Sequence, residues 1–297
     1  MSEGNVAQGK AIKSICRSPK PLFITGKGGT GKTYFLKRII PALKNAVVVA
    51  PTGIAAVNAG GQTIHSFFRI GMQPYIPEIR NGKFMDNCEN KFRGESEKIL
   101  QNIKYLIIDE ISMVRPDLLD NVADILRRAR GDKDPFGGVK LIMVGDLFQL
   151  PPVIKEDFFR DIYDTSYFFS SKSLMASGME MVSFEKIYRQ KDEKFISILN
   201  KVRDGQMDDD VFSTLNSRCI QPENSAGYVE IVTTNAKATA INEMRINSVP
   251  GSLRKFEAII KGDYPKEAPV EKTLLIKEGS RVMITRNGGE YVNGSLG

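Results

Sequence analysis

Histidine is nearly missing from this sequence, with His65 the only one in 297 residues. A serine–histidine–acid triad or a histidine-based zinc site therefore has almost no material to work with. Cysteine is scarce as well: Cys16, Cys88 and Cys219 lie far apart, form no metal-like pair and leave an odd thiol. That argues against a disulfide framework and for a reducing compartment. No apolar run approaches the roughly 18 residues that span a bilayer, and residues 1–10 lack the apolar stretch of a secretory signal. A cytoplasmic protein with no membrane partner is expected. Acidic residues are missing from one region in particular, because residues 1–64 hold nine Lys or Arg against Glu3 alone, while the remainder balances at 33 against 34. A local positive field suits a polyanion, either nucleotide phosphate or a nucleic-acid backbone, although a solvated basic face accounts for the charge alone equally well.

What is present is ordinary globular material, 41% hydrophobic and 26% charged, with length for about two domains. Leu22 to Thr25 reads as a short buried strand, Gly26 to Gly31 as a glycine-rich turn, and Lys32 onward as a helix interrupted at Pro41. Further strands are expected at Ala46–Ala50, Tyr105–Ile108 and Val139–Val144. A helix begins near Pro116, with Leu118, Leu119, Val122, Ile125 and Leu126 at helical spacing. Short apolar runs alternating with amphipathic helices indicate an α/β domain with a parallel sheet, whose ligands bind beyond the carboxyl ends of the strands.

Residues 68–101 are polar and turn-rich, and read as an insertion. A second α/β-like pattern follows: an apolar helix with Phe195, Ile196, Leu199 and Val202, an acidic turn at Asp208 to Asp210, a strand at Val229 to Thr233, a helix after Asn235, and strands at Leu274 to Ile276 and Arg281 to Ile284. The expected organisation is a first domain over 1–180 and an incomplete second one over 181–297.

Gly26-Lys27-Gly28-Gly29-Thr30-Gly31-Lys32-Thr33 matches the phosphate-loop pattern at every required position. Glycines let backbone N–H groups wrap phosphates, the following helix offers its positive end, Lys32 reaches the terminal phosphates, and Thr33 supplies a hydroxyl for Mg²⁺. ATP with Mg²⁺ is the implied ligand, cradled by Gly28, Gly29, Thr30, Gly31, Lys32 and Thr33. Asp109 and Glu110 end a strand where a metal-holding acid and a water-activating base are needed; taken alone, such a pair also reads as a solvated strand end. Gln149, in the turn after the fourth strand, could sense a terminal phosphate or simply satisfy loop backbone groups.

Several segments together resemble the Pif family of superfamily 1 DNA helicases. They are Ala50-Pro51-Thr52-Gly53-Ile54-Ala55-Ala56, Gly60 to Phe68, Asp109-Glu110-Ile111-Ser112-Met113, and Val144-Gly145-Asp146-Leu147-Phe148-Gln149-Leu150-Pro151-Pro152. Phe184-Glu185-Lys186-Ile187-Tyr188-Arg189-Gln190, Thr233-Thr234-Asn235 with Ile241-Asn242, and Tyr291 to Gly297 extend the match in the family's order. The resemblance implies a monomeric motor with two RecA-like domains, moving 5′ to 3′ on single-stranded DNA and opening forked duplex DNA, with residues 68–101 as its wedge. It implies that Arg189 is an arginine finger from the second domain and that Gln8 reads adenine. DNA contacts are implied at Thr52, Gly53, Thr63, His65, Ser66, Thr234, Asn235 and Asn293. A small barrel-like insertion and a further arginine-bearing segment of the family do not occur within the 297 residues. Two other readings stay open at this point, a DNA-stimulated ATPase that separates no strands and a nucleotide-responsive DNA-binding module.

Overall fold

In a computed structural model of the chain, the residues described are 3–71, 73–76, 78–80, 83–85, 92, 94–154, 159–219, 229–259, 272–284 and 295–297. They divide into two compact units, the first running to Gln206 and the second from Met207 to Gly297.

The first unit opens with helix α1 (Glu3–Arg17), strand β1 (Leu22–Gly26) and helix α2 (Lys32–Ile39), which gives way to a short 3₁₀ turn containing Pro41. Next come β2 (Ala46–Ala50), α3 (Gly53–Ala59), β3 (Gln62–Thr63) and α4 (Ile64–Phe68). A small antiparallel pair, β4 (Glu78–Arg80) and β5 (Lys83–Met85), precedes α5 (Glu95–Asn102), β6 (Tyr105–Ile108), α6 (Pro116–Arg130) and β7 (Lys140–Gly145). The unit finishes with α7 (Phe159–Ile162), α8 (Lys172–Ser177), β8 (Glu180–Phe184) and α9 (Glu193–Arg203).

Six strands form one sheet in the order β3-β2-β6-β7-β1-β8, every pair parallel. The central strands are apolar on both faces because both are covered. Leu22, Ile24, Val48, Ile107, Ile142 and Val144 pack toward α1 and α2, whereas Phe23, Val49, Leu106, Ile108, Leu141 and Met143 join the core beneath α6. Consecutive residues thus serve opposite layers, giving a three-layer α/β sandwich with a RecA-like parallel sheet at its centre. No helix among the described residues is long and apolar enough to cross a membrane.

Besides the two-residue β3, two elements at the margin of this sheet were not expected. The Glu180-Met181-Val182-Ser183-Phe184 segment is an edge strand beside β1, so the first unit extends past the anticipated boundary at residue 180. Helix α1 packs Ala11 and Ile15 into the core and holds Glu180 through the hydroxyls of Ser14 and Ser18. The expected insertion is narrower than 68–101, because Phe68, Ile70 and Leu100 are buried in the main core. In α9, Ile198 is the buried residue, while Phe195, Leu199 and Val202 are exposed, contrary to the anticipated apolar face.

The second unit contains α10 (Asp209–Asn216), α11 (Asn235–Ser248) and an antiparallel pair, β9 (Arg254–Glu257) with β10 (Thr273–Ile276). The acidic run anticipated as a turn starts a helix instead: the Asp208 carboxylate accepts the Val211 N–H at 2.9 Å, a cap that the following acids reinforce at the helix's positive end. Residues 229–233 form no strand, and only an isolated bridge from Met283 to Leu296 stands where a strand at 281–284 was expected.

Helix α6 braces β6 and β7, and its hold on the chain behind it depends on one carboxylate. Asp120, 2% exposed, accepts from Tyr163 Oη (2.9 Å), Ser171 Oγ (2.6 Å) and the backbone N–H groups of Lys172 (3.0 Å) and Ser173 (2.9 Å). Removing a buried acceptor leaves its donors desolvated and unpaired. Asp120→Ala is expected to cost on the order of 3 kcal/mol, read as a lower urea midpoint with an unchanged slope; an unaltered midpoint would refute this role.

Candidate functional site

The three strands β6, β7 and β1 lie side by side, and their carboxyl ends deliver the polar residues of one site. After β1, the chain turns through a glycine-rich loop into α2. Gly29 and Gly31 sit at φ 80° and 84°, backbone conformations that side chains disfavour, and Gly31 is the N-cap of α2. A Cβ at Gly29 would also lie 2.7 Å from Arg189 Cβ. Gly28 faces open space. Thr30 is buried and spends its hydroxyl inside the loop, donating to the Lys27 carbonyl at 2.8 Å. Thr33, in the first turn of α2, is half-buried.

The Lys32 ammonium donates to the carbonyls of Gly26 (2.5 Å) and Lys27 (3.1 Å). Burial pushes its pKa below the ordinary lysine range, while Asp146, Glu110 and Asp109 pull it back up. Asp109 at the end of β6 is 5% exposed, and burial raises its pKa against the stabilising Glu110 N–H, which donates to Asp109 Oδ1 at 3.0 Å, and the charge of Lys32. Glu110 is raised by burial and then by the adjacent Asp109 charge. Its backbone lies at φ 52° and ψ 44°, a left-handed conformation that costs a non-glycine residue about 1–2 kcal/mol. Asp109, Glu110 and Lys32 therefore act on one another's charge.

After β7, Asp146 nucleates a tight turn. Its Oδ1 accepts the Phe148 N–H at 3.2 Å and its carbonyl accepts the Gln149 N–H at 3.0 Å. Gln149 is exposed, and it lines, together with Glu110, Met113 and Phe148, one cavity of about 500 Å³. Sequence reasoning passed over Asp146 as a site residue, although it is 3% exposed and is the carboxylate whose charge acts most strongly on Lys32. It also passed over Arg203, whose Nη2 lies 2.7 Å from Asp146 Oδ1 and whose guanidinium carbon lies 4.3 Å from the centre of the Phe148 ring. No local pattern marks Arg203 beyond its place in the last turn of α9.

Arg189 belongs to the first unit, not to the second as expected. The reason is β8, which returns the chain beside β1 and lays residues 184–189 along the glycine loop. The Gly29 carbonyl accepts the N–H groups of Tyr188 (2.8 Å) and Arg189 (3.3 Å). The Arg189 side chain is exposed. Gln8 is half-buried within α1.

Among the described residues, no group of three or more His, Cys, Asp or Glu could hold a metal unaided. Thr33 and the single carboxylate of Asp109 fit magnesium, which takes one or two protein oxygens together with substrate phosphates and water.

The residues expected to meet DNA share a local geometry. Thr52 caps α3 by accepting the Ala55 N–H (3.3 Å), Thr63 caps α4 by accepting the Ser66 N–H (3.2 Å), and Thr234 caps α11 by accepting the Lys237 N–H (3.3 Å). Gly53 and Asn235 are the first residues of their helices. β2 pairs with β3, so the caps at Thr52 and Thr63 stand at adjacent strand ends. His65 is half-buried, and burial, aided by the charge of Arg115, holds its pKa below the usual histidine value. Thr234 and Asn235 lie in the second unit, and Asn293 lies outside the described residues.

Known proteins similar to this chain share one family. The model of the PIF1-like helicase family matches residues 5–212. The chain is 33% identical over 308 residues to the ATP-dependent DNA helicase RRM3 of Saccharomyces cerevisiae, covering 98% of this chain and 41% of that protein. It is 32% identical to the ATP-dependent DNA helicase PIF1 of Homo sapiens, covering 98% of this chain and 45% of that one. The chain thus spans less than half the length of these relatives. A crystal structure of Bacteroides Pif1 bound to single-stranded DNA superposes with a TM-score of 0.87 at 38% identity, covering 100% of this chain and 68% of that one. Another, of Bacteroides Pif1 with ADP-AlF3 and single-stranded DNA, superposes at 0.85 with 39% identity, covering 97% and 68%. With the family model spanning most of the chain and the nucleotide loop inside the matched stretch, the chain belongs to the PIF1-like helicase family.

Proposed function

We propose that this chain is the ATP-hydrolysing core of a DNA helicase that moves 5′ to 3′ on single-stranded DNA and opens forked duplexes. The observation that carries the reading is the convergence of Lys32, Asp109, Glu110 and the Asp146–Gln149 turn at the ends of three adjacent strands. The names of the relatives, ATP-dependent DNA helicases, support the substrate and the work done with it.

In this reading the glycine loop and the N-terminus of α2 bind the phosphates, with Gly28, Gly29, Thr30 and Gly31 contributing backbone rather than side chains. Lys32 exchanges its two loop carbonyls for the terminal phosphate oxygens. Thr33 and Asp109 hold the magnesium ion, whose chemistry there is to neutralise phosphate charge. Glu110, whose pKa is raised by burial and by Asp109, accepts a proton from the attacking water. Gln149 contacts the terminal phosphate from the neighbouring turn. Arg189 supplies its guanidinium from within the first unit, and Gln8 reads the adenine edge. Thr52, Gly53, Thr63, His65, Ser66, Thr234, Asn235 and Asn293 grip the DNA backbone through hydroxyls, amides and N–H groups, which hold a strand without reading its bases. His65, kept neutral, acts as a hydrogen-bond donor and not as a charge. The second unit is a RecA-like partner domain, residues between Phe68 and Glu95 carry the wedge, and a cytoplasmic monomer suffices for the work.

Lys32→Ala is expected to lower ATP turnover by about 10²-fold or more while leaving single-stranded DNA binding in place, as followed by phosphate release and by anisotropy of a labelled oligonucleotide. Normal turnover in that variant would sink the ATPase assignment. Glu110→Gln is expected to slow hydrolysis by roughly 10²–10⁴-fold with nucleotide affinity retained; a matching loss of affinity would argue against a base. A forked duplex with a 5′ single-stranded tail separates the helicase from a DNA-stimulated ATPase: ATP-dependent strand release supports the former, hydrolysis without release the latter.

A further inference from the structure

Helix α9 begins shortly after the segment lying on the glycine loop, and it ends on the Asp146 turn. At the first end, Gly29 accepts two backbone N–H groups from Tyr188 and Arg189, and the Tyr188 ring packs 3.7 Å from where a Gly31 side chain would begin. At the other end, Arg203 grips the turn twice, through its ion pair with Asp146 and through its guanidinium against the Phe148 ring. Residues 184–203 therefore form a strap between the phosphate loop and the turn that carries Gln149.

The charges give the strap a purpose. Three carboxylates, Asp109, Glu110 and Asp146, act on one half-buried ammonium, Lys32. Polyphosphate entering there would meet all three. Asp109 and Glu110 have work in the proposed chemistry that requires their charge, whereas Asp146 shapes the turn and supports the charge of Lys32. Arg203 balances it: the Asp146 side chain is 4% exposed and the Arg203 side chain 18%, a shielded pair in which the attraction is little screened by water. The charge of Arg203 is felt as far as Lys32. Its planar fork and flat face satisfy a carboxylate and a ring together, which a lysine cannot do.

We propose that Arg203 is a positioning residue for ATP hydrolysis, holding the Asp146–Gln149 turn in register with the phosphate loop and offsetting the Asp146 charge, which would otherwise add to the repulsion of the terminal phosphate. The proposal rests on the ATPase reading above. It assigns Arg203 to the discrimination of ATP from ADP, because the turn it holds presents Gln149 to the γ-phosphate and not to the rest of the nucleotide.

The test compares affinities for a fluorescent ADP and a fluorescent non-hydrolysable ATP analogue, alongside steady-state turnover with single-stranded DNA. In Arg203→Ala, ADP affinity should stay within about threefold of the parent, while affinity for the ATP analogue and kcat each fall by about tenfold or more. Arg203→Lys should recover part of the loss by restoring charge without the planar contact. Adding Asp146→Asn to Arg203→Ala should return ATP-analogue affinity toward the parent, since the unpaired carboxylate is gone. Equal losses for ADP and the ATP analogue, or no loss for either, would overturn the proposal while leaving the ATPase reading intact. So would a double variant no better than Arg203→Ala. A parent chain that binds neither nucleotide would overturn both.

Discussion

The ammonium of Lys32 sits half-buried among three carboxylates, where a positive charge is needed and water hydrates it only in part. Burial disfavours the charged amine, and the three nearby carboxylates favour it. Asp109 and Glu110 in turn are made unfavourable by their own burial, and Glu110 also by the charges of Asp109 and Asp146. None of these groups could be buried in its charged form alone at tolerable cost. Their mutual dependence explains why they arrive on adjacent strands. The parallel order β6-β7-β1 sets three strand ends side by side, and the loops leaving them need only a few residues to bring opposite charges together. Those strands are themselves fixed by a core that covers both faces of the sheet, so the geometry of the charges is inherited from apolar packing.

The same crowding accounts for the backbone of Glu110. A left-handed glutamate immediately after a strand is unfavourable by an amount comparable to a weak hydrogen bond. It is maintained because its amide is held by Asp109 and because the following residues, Ile111 and Val114, are buried in the core. The turn thereby lets two consecutive acids serve different roles, one facing the metal-binding side chain of Thr33 in the proposed chemistry and the other lining the cavity shared with Gln149. An extended chain would have sent them to opposite faces of the sheet.

The parts of this architecture that are written locally were legible from sequence. The glycine loop needs eight consecutive residues, the acids need a strand before them, and α6 needs Pro116 at its start and apolar residues at helical spacing; all three stand where expected. The remainder depends on contacts between distant residues. The β8 segment carries no regular polar–apolar alternation, so only pairing with β1 distinguishes it from an exposed loop, and that pairing moved Arg189 into the first unit. Helix α1 lacks an apolar run and is held by two hydroxyls on a carboxylate more than 160 residues away, at Glu180. Arg203 looks like a surface cation closing a helix until Asp146 and Phe148 are placed beside it. The apolar residues of α9 misled for the opposite reason: helical spacing gave a stripe, but the helix is fixed by its ends, and Ile198 alone meets the core.

In the proposed grip on DNA, the capping duty of the threonines does not compete with contact to a phosphate. A hydroxyl offers one O–H donor and two acceptor lone pairs. In Thr52, Thr63 and Thr234 the oxygen accepts a helix N–H, which uses a lone pair and leaves the proton free. A phosphate oxygen is an acceptor only, so it requires just what the cap leaves over. The adjacent N–H groups at the start of each helix are donors of the same kind, so each cap presents a hydroxyl and backbone donors in one direction without any charged side chain. Uncharged contacts of this type would suit the translocation proposed above, in which one part of a strand is released while another is held. Substituting lysines would tighten each contact and raise its salt dependence, and would make release the slow step.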